Sequence, residues 1–151
     1  MRIPGIALTE AEPWVLFGDS LALSAHARYA AGRDEAHGQA LFQVCRADAI
    51  RAFSVADARL DFPAAGQLLF ALGTWALIRR AAPAEDAAAL LALAGRFSYN
   101  RTIRTTSWDR IEAAAEESVP GLLAALRAQY RDREPAGLVE EAGRLARRLP
   151  A

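Results

Sequence analysis

The sequence predicts an all-α protein, a compact bundle of six or seven helices forming a single domain over residues 1–151. Three observations carry this expectation. Alanine, the strongest helix former, is the commonest residue and leucine is second. Apolar side chains recur at three- and four-residue spacing through most of the chain. A length of 151 residues fits one domain, able to bury roughly two-thirds of the surface its unfolded form would expose.

The first helix is expected over about 13–31. Thr9-Glu10-Ala11-Glu12 can form a capping box, or Pro13 can stand as the first helical residue. Trp14, Phe17, Leu21, Ala25 and Tyr29 then make one stripe, and Gly32 is the stop. Asp34 caps a second helix with Leu41, Phe42, Cys45, Ala49, Ala52, Phe53 and Ala56 on its apolar face. The short link makes these two helices antiparallel neighbours. Asp61-Phe62-Pro63 breaks the pattern, and 64–80 follows as a helix apolar nearly all round, which predicts a central position. Pro83, with Glu85 and Asp86 behind it, starts a fourth helix through Leu90, Leu91, Ala94 and Phe97. Thr106 or Ser107 caps a fifth, which runs to about Ser118. Pro120-Gly121 separates it from Leu122, Leu123, Leu126 and Tyr130. Pro135 opens a last amphipathic helix with Leu138, Ala142, Leu145 and Leu149, in which Glu140 and Arg144 are spaced as a surface pair.

Composition removes much enzyme chemistry. All 18 basic residues are arginine, with two histidines and one cysteine beside them. Schiff-base lysines, phosphate-loop lysines, paired-cysteine redox sites and histidine-rich metal cages need residue types that the chain lacks. Neither a metal nor a cofactor is expected. The 18 acids cancel the arginines, so no general attraction to nucleic acid or an anionic membrane follows. The longest near-apolar run, 64–78, would span about 22 Å as a helix against about 30 Å of hydrocarbon, so no membrane span is expected. One cysteine, and a start (Met1-Arg2-Ile3-Pro4-Gly5-Ile6) without the apolar core of a signal peptide, lead to a cytoplasmic expectation. Abundant alanine and arginine without lysine is the composition of a GC-rich genome, from which a bacterial source is expected.

Two clusters are candidate sites. At the turn between the first two helices stand His26, Tyr29, Arg33, Asp34 and His37. A histidine near a carboxylate can work as acid or base. A metal site is set aside, because the two histidines are eleven residues apart across a turn and do not share a helix face. The second cluster lies in the alanine-free, hydroxyl-rich stretch 98–107 and its borders, with Arg96, Tyr99, Asn100, Arg101, Arg104, Trp108 and Arg110. Guanidinium groups grip carboxylate or phosphate in a two-pronged geometry, and Tyr99 or Trp108 can stack a planar ligand. The stretch Leu93-Ala94-Gly95-Arg96-Phe97-Ser98-Tyr99-Asn100-Arg101-Thr102 also resembles the centre of a helix-turn-helix. Ser98 stands where the turn glycine is usual, and Arg104 where the second helix buries an aliphatic side chain. Elsewhere, Cys45 reads as a core residue. Asp48 is placed to meet Arg28, Arg79 or a histidine, while Glu112, Glu116 and Glu117 read as solvated or as partners for the nearby arginines.

The function expected is that of a non-catalytic accessory or regulatory protein that binds a partner protein or a small acidic or planar ligand. Tyr99, Arg101, Arg104 and Trp108 are the ligand-binding choice. The alternative is a small cofactor-independent enzyme that acts on a hydrophobic substrate with His26 or His37 as acid or base. DNA binding stands third, against zero net charge. The last helix offers a pairing surface, so a homodimer is expected.

Overall fold

The computed structural model describes residues 13–29, 35–54, 62–97 and 108–151, which form seven helices with no strand among them. They are α1 (Pro13–Tyr29), α2 (Glu35–Ala52), α3 (Phe62–Ile78), α4 (Ala84–Arg96), α5 (Trp108–Ser118), α6 (Leu122–Arg131) and α7 (Pro135–Arg148). The all-α bundle is as the composition predicted. The expected signals at Gly32, Asp34, Thr106 and Ser107 lie outside the described residues.

Two helices make the heart of the bundle. Residues 65–77 of α3 are buried without interruption, as are 86–94 of α4. α3 packs against α1, α2, α4 and α5, and α4 packs against α3, α5, α6 and α7. The central place of α3 is the one its sequence predicted. For α4 the apolar stripe understated the burial, because Ala88 and Ala92 are covered as fully as Leu90 and Leu91. Glycine allows the two helices to meet closely. A methyl group on Gly66 would stand 2.6 Å from the Phe97 carbonyl oxygen, and one on Gly73 would stand 2.9 Å from Leu91 Cγ and 3.1 Å from the Ala87 oxygen. These glycines, seven residues apart, give α3 one smooth strip along its α4 side.

Helix ends follow local chemistry. Pro63 sits in the first turn of α3, where its missing N–H has no helical partner to lose, so the expected break is instead the helix start. At the other end Ala81 N–H donates to the Ala76 oxygen at 3.0 Å, and Arg80 between them has φ of 52°. This is the Schellman closure, with arginine at the left-handed position that favours glycine. Arg79 secures the α1–α2 hairpin to α3. It pairs with Glu35 in the first turn of α2 at 2.5 Å and donates to the His26 carbonyl of α1 at 3.4 Å.

α7 spends its apolar face inside the chain. Leu138, Ala142, Leu145 and Leu149 are all buried, with α2 and α4 as the neighbours of the helix. The pairing surface expected there is therefore already occupied. Arg46 of α2 donates to the Leu149 carbonyl at 2.8 Å, and Arg148 reaches Asp86 of α4 at 3.2 Å. Arg144 pairs with Glu141, not with Glu140: Glu141 is half-buried beside Tyr130, whereas Glu140 faces solvent. Some buried polar atoms have no hydrogen-bond partner among the described residues: the Ser24 hydroxyl of α1, and both amide atoms of Gln67 and the Thr74 hydroxyl of α3. No helix of the described residues is long and apolar enough to cross a membrane.

Two substitutions check this account by chemical denaturation. Gly66→Ala is expected to lose about 1–3 kcal/mol, since the added methyl meets backbone and not a movable side-chain tip. Arg80→Gly is expected to gain about 1 kcal/mol by relieving the left-handed conformation.

Candidate functional site

Where α4, α5 and α6 meet, an open cleft of about 660 Å³ is lined, among the described residues, by Ala92, Gly95, Arg96, Trp108, Asp109, Glu112, Arg127 and Arg131. Its frame is a ladder of stacked groups rising from the core. Phe70 of α3 lies edge-to-face against Trp108, ring centres 4.9 Å apart at 81°. The Arg127 guanidinium lies over the Trp108 ring at 4.9 Å, and its Nη2 donates to Glu112 at 2.8 Å. Phe70 is fully buried, Trp108 is half-buried, and the ion pair is more open to solvent. Each member fixes the next: an edge-to-face pair orients the indole, and the indole face holds the flat cation.

Arg96 has a different task. Its Nε donates to the Tyr130 carbonyl at 3.0 Å and its Nη2 to the Arg133 carbonyl at 3.5 Å, so it adds a donor to backbone oxygens around the end of α6. Tyr130 beneath is buried and donates to Glu141 at 3.3 Å. Burial, then the charge of Glu141, push its pKa up to about 12. Asp109 and Arg131 remain. Both are exposed, and neither side chain makes a hydrogen bond or ion pair with the described residues. The cleft thus offers a flat indole, a stacked guanidinium and an unpaired charge of each sign.

Of the ligand-binding residues chosen from sequence, Trp108 is in this cleft, and Arg96 from the wider cluster is at its edge. Tyr99, Asn100, Arg101 and Arg104 lie outside the described residues. Arg127 and Arg131 were missed. They sit 19 and 23 residues from Trp108 in sequence, and their only local signal was an i, i+4 arginine pair on one helix face. Glu112 is not simply solvated, since α6 brings Arg127 to it. Glu116 accepts the Gly121 N–H at 3.1 and 3.2 Å, which closes the α5–α6 turn where Gly121 has φ of 75°.

The two histidines do come together. Their ring centres are 5.6 Å apart in an edge-on arrangement, and His26 is 6.0 Å from the Trp75 ring. Gly38 makes room for them, since a methyl there would stand 2.3 Å from Trp75 and 2.5 Å from His26. Glu35, the carboxylate nearest in sequence to His37 among the described residues, is engaged by Arg79, whose guanidinium also lies 5.3 Å over Trp75. Tyr29 is the last residue of α1, and Arg33 and Asp34 lie outside the described residues. Among the described residues no three His, Cys, Asp or Glu side chains are grouped to hold a metal ion.

Cys45 is fully buried. Burial, with Asp19 and Asp48 nearby, pushes its thiol above the ordinary range, so at neutral pH it is a small core side chain and not a nucleophile. Asp48 pairs with Arg51 on its own helix, not with Arg79 or a histidine, which have partners of their own at the α1–α2 hairpin. Burial raises the Asp48 carboxyl pKa despite the lowering effect of Arg51. A carboxyl whose pKa rises on folding binds its proton more tightly in the native state, so its charge costs stability above the folded pKa and costs nothing below the unfolded one. Asp48→Asn is therefore expected to raise the melting temperature at neutral pH, with the gain vanishing as pH falls to about 4; thermal melts across that range measure it. Comparison of the chain with protein-family models, curated proteins and solved structures finds no match.

Proposed function

We propose that this chain is a non-catalytic accessory or regulatory protein that binds a small, acidic, planar ligand in the cleft between α4, α5 and α6. One observation carries the proposal: the Phe70–Trp108–Arg127–Glu112 ladder stands at the edge of an open space of about 660 Å³. Small-molecule sites commonly occupy about 300–1,000 Å³ and combine apolar surface with a few placed polar groups. An aromatic acid fits this chemistry, its ring against the indole and guanidinium and its carboxylate toward Arg131. The segment with Tyr99, Arg101 and Arg104 joins α4 to α5, the two helices whose ends border the cleft, so its chain connections favour a part in the same site.

The catalytic alternative, with His26 or His37 as acid or base, has the contact between the two rings in its favour. Against it, Glu35, the carboxylate nearest to His37 in sequence among the described residues, is held by Arg79. A cytoplasmic location and a homodimer belong to the same proposal.

Isothermal titration with benzoate and indole-3-carboxylate is the direct test. Binding is expected, weakened about tenfold or more by Trp108→Ala and by Arg127→Ala in variants whose circular dichroism is unchanged. Absence of binding by either acid, or binding untouched by both substitutions, overturns the proposal.

A further inference from the structure

α5 and α6 are joined by a short turn and pack side by side, so they run antiparallel. Their facing residues form rungs. Glu112 and Arg127 make one rung, closed as an ion pair at 2.8 Å. Asp109 lies three residues before Glu112, about one turn along α5, and Arg131 lies four residues after Arg127, about one turn along α6. In an antiparallel pair these two steps go the same way, so Asp109 and Arg131 hold the next rung along the cleft. Both line the cleft, yet they make no ion pair with each other or with any described residue. The helix dipole accounts for an acid in the first turn of α5. It does not account for an arginine one turn beyond Arg127 that lines the same cleft and is left without that acid.

From this open rung we infer that the cleft selects a zwitterion, an α-amino carboxylate whose ammonium meets Asp109, whose carboxylate meets Arg131, and whose flat side group lies along Trp108. The inference rests on the cleft being a site for acids, and it narrows the class. The neighbouring charges are already committed, Arg127 to Glu112 and Arg96 through two nitrogens to backbone carbonyls. A ligand with only a carboxylate would answer Arg131 and leave Asp109 facing its negative charge. One that carries both groups on one carbon answers both ends of the rung.

Three probes separate the contributions: L-phenylalanine, 3-phenylpropanoate, which lacks the amine, and phenethylamine, which lacks the carboxylate. In titrations of the full chain at neutral pH, L-phenylalanine is expected to bind about tenfold or more tightly than either partial analogue. Asp109→Asn should bring L-phenylalanine down to the level of 3-phenylpropanoate while leaving the latter unchanged or improved. Arg131→Gln should weaken both acids and spare the amine. Both positions are exposed, so the variants are expected to keep the wild-type circular dichroism and melting temperature. Equal affinity for L-phenylalanine and 3-phenylpropanoate, or a preference that survives Asp109→Asn, overturns the zwitterion while the acid site stands. If no acid binds, benzoate and indole-3-carboxylate included, both fall together.

Discussion

The close contact of α3 with α4 is the constraint on which the remaining helices depend. Gly66 and Gly73 leave α3 bare on the side that meets α4, and alanines on α4 keep that helix slim on several sides at once. Each helix then has other faces free to receive neighbours. α3 takes α1, α2 and α5, and α4 takes α5, α6 and α7. Larger side chains along this contact would push the two axes apart and move every outer helix with them. The position of Trp108 is one product of this arrangement. α5 touches both central helices, and its first residue lands on Phe70.

Having only arginine as a cation shapes the rest of the molecule. Its flat, multiply donating group can bridge elements that a point charge would serve one at a time. Arg79 serves an acid of α2 and a carbonyl of α1, and Arg96 serves one carbonyl in the last turn of α6 and one just past it. Arg127 serves an aromatic face and an acid together. In each case one side chain ties two separate groups together.

Helix order and the central place of α3 could be read from the sequence because both depend on local periodicity and on apolar residues all round one segment. The burial of α4 was harder to read. Alanine is neutral in a pattern of stripes, and only the presence of neighbours on every side shows that Ala88 and Ala92 are interior. The site divides the same way. Trp108 and Arg96 stood out because they border the alanine-free, hydroxyl-rich stretch 98–107, whereas Arg127 and Arg131 belong to an ordinary-looking helix and matter through what α5 brings to them. Ion pairs were the least legible. Asp48 and Arg144 each chose a partner three residues away over the ones proposed, since helix faces with several charges leave the choice to burial of the acid. The histidine contact was foreseen from the hairpin, but the glycine at position 38 that permits it was not.

The ladder from Phe70 to Glu112 joins the heart of the bundle to its surface. A molecule that favours the stacked arrangement of Trp108 and Arg127 therefore favours the packing of α5 on α3 as well. Occupancy and folding become linked equilibria, so a ligand present well above its dissociation constant would raise the melting temperature of the whole domain. The cleft is in that sense a handle on the global stability of the chain, and a thermal scan of small molecules reads it without any assay of activity.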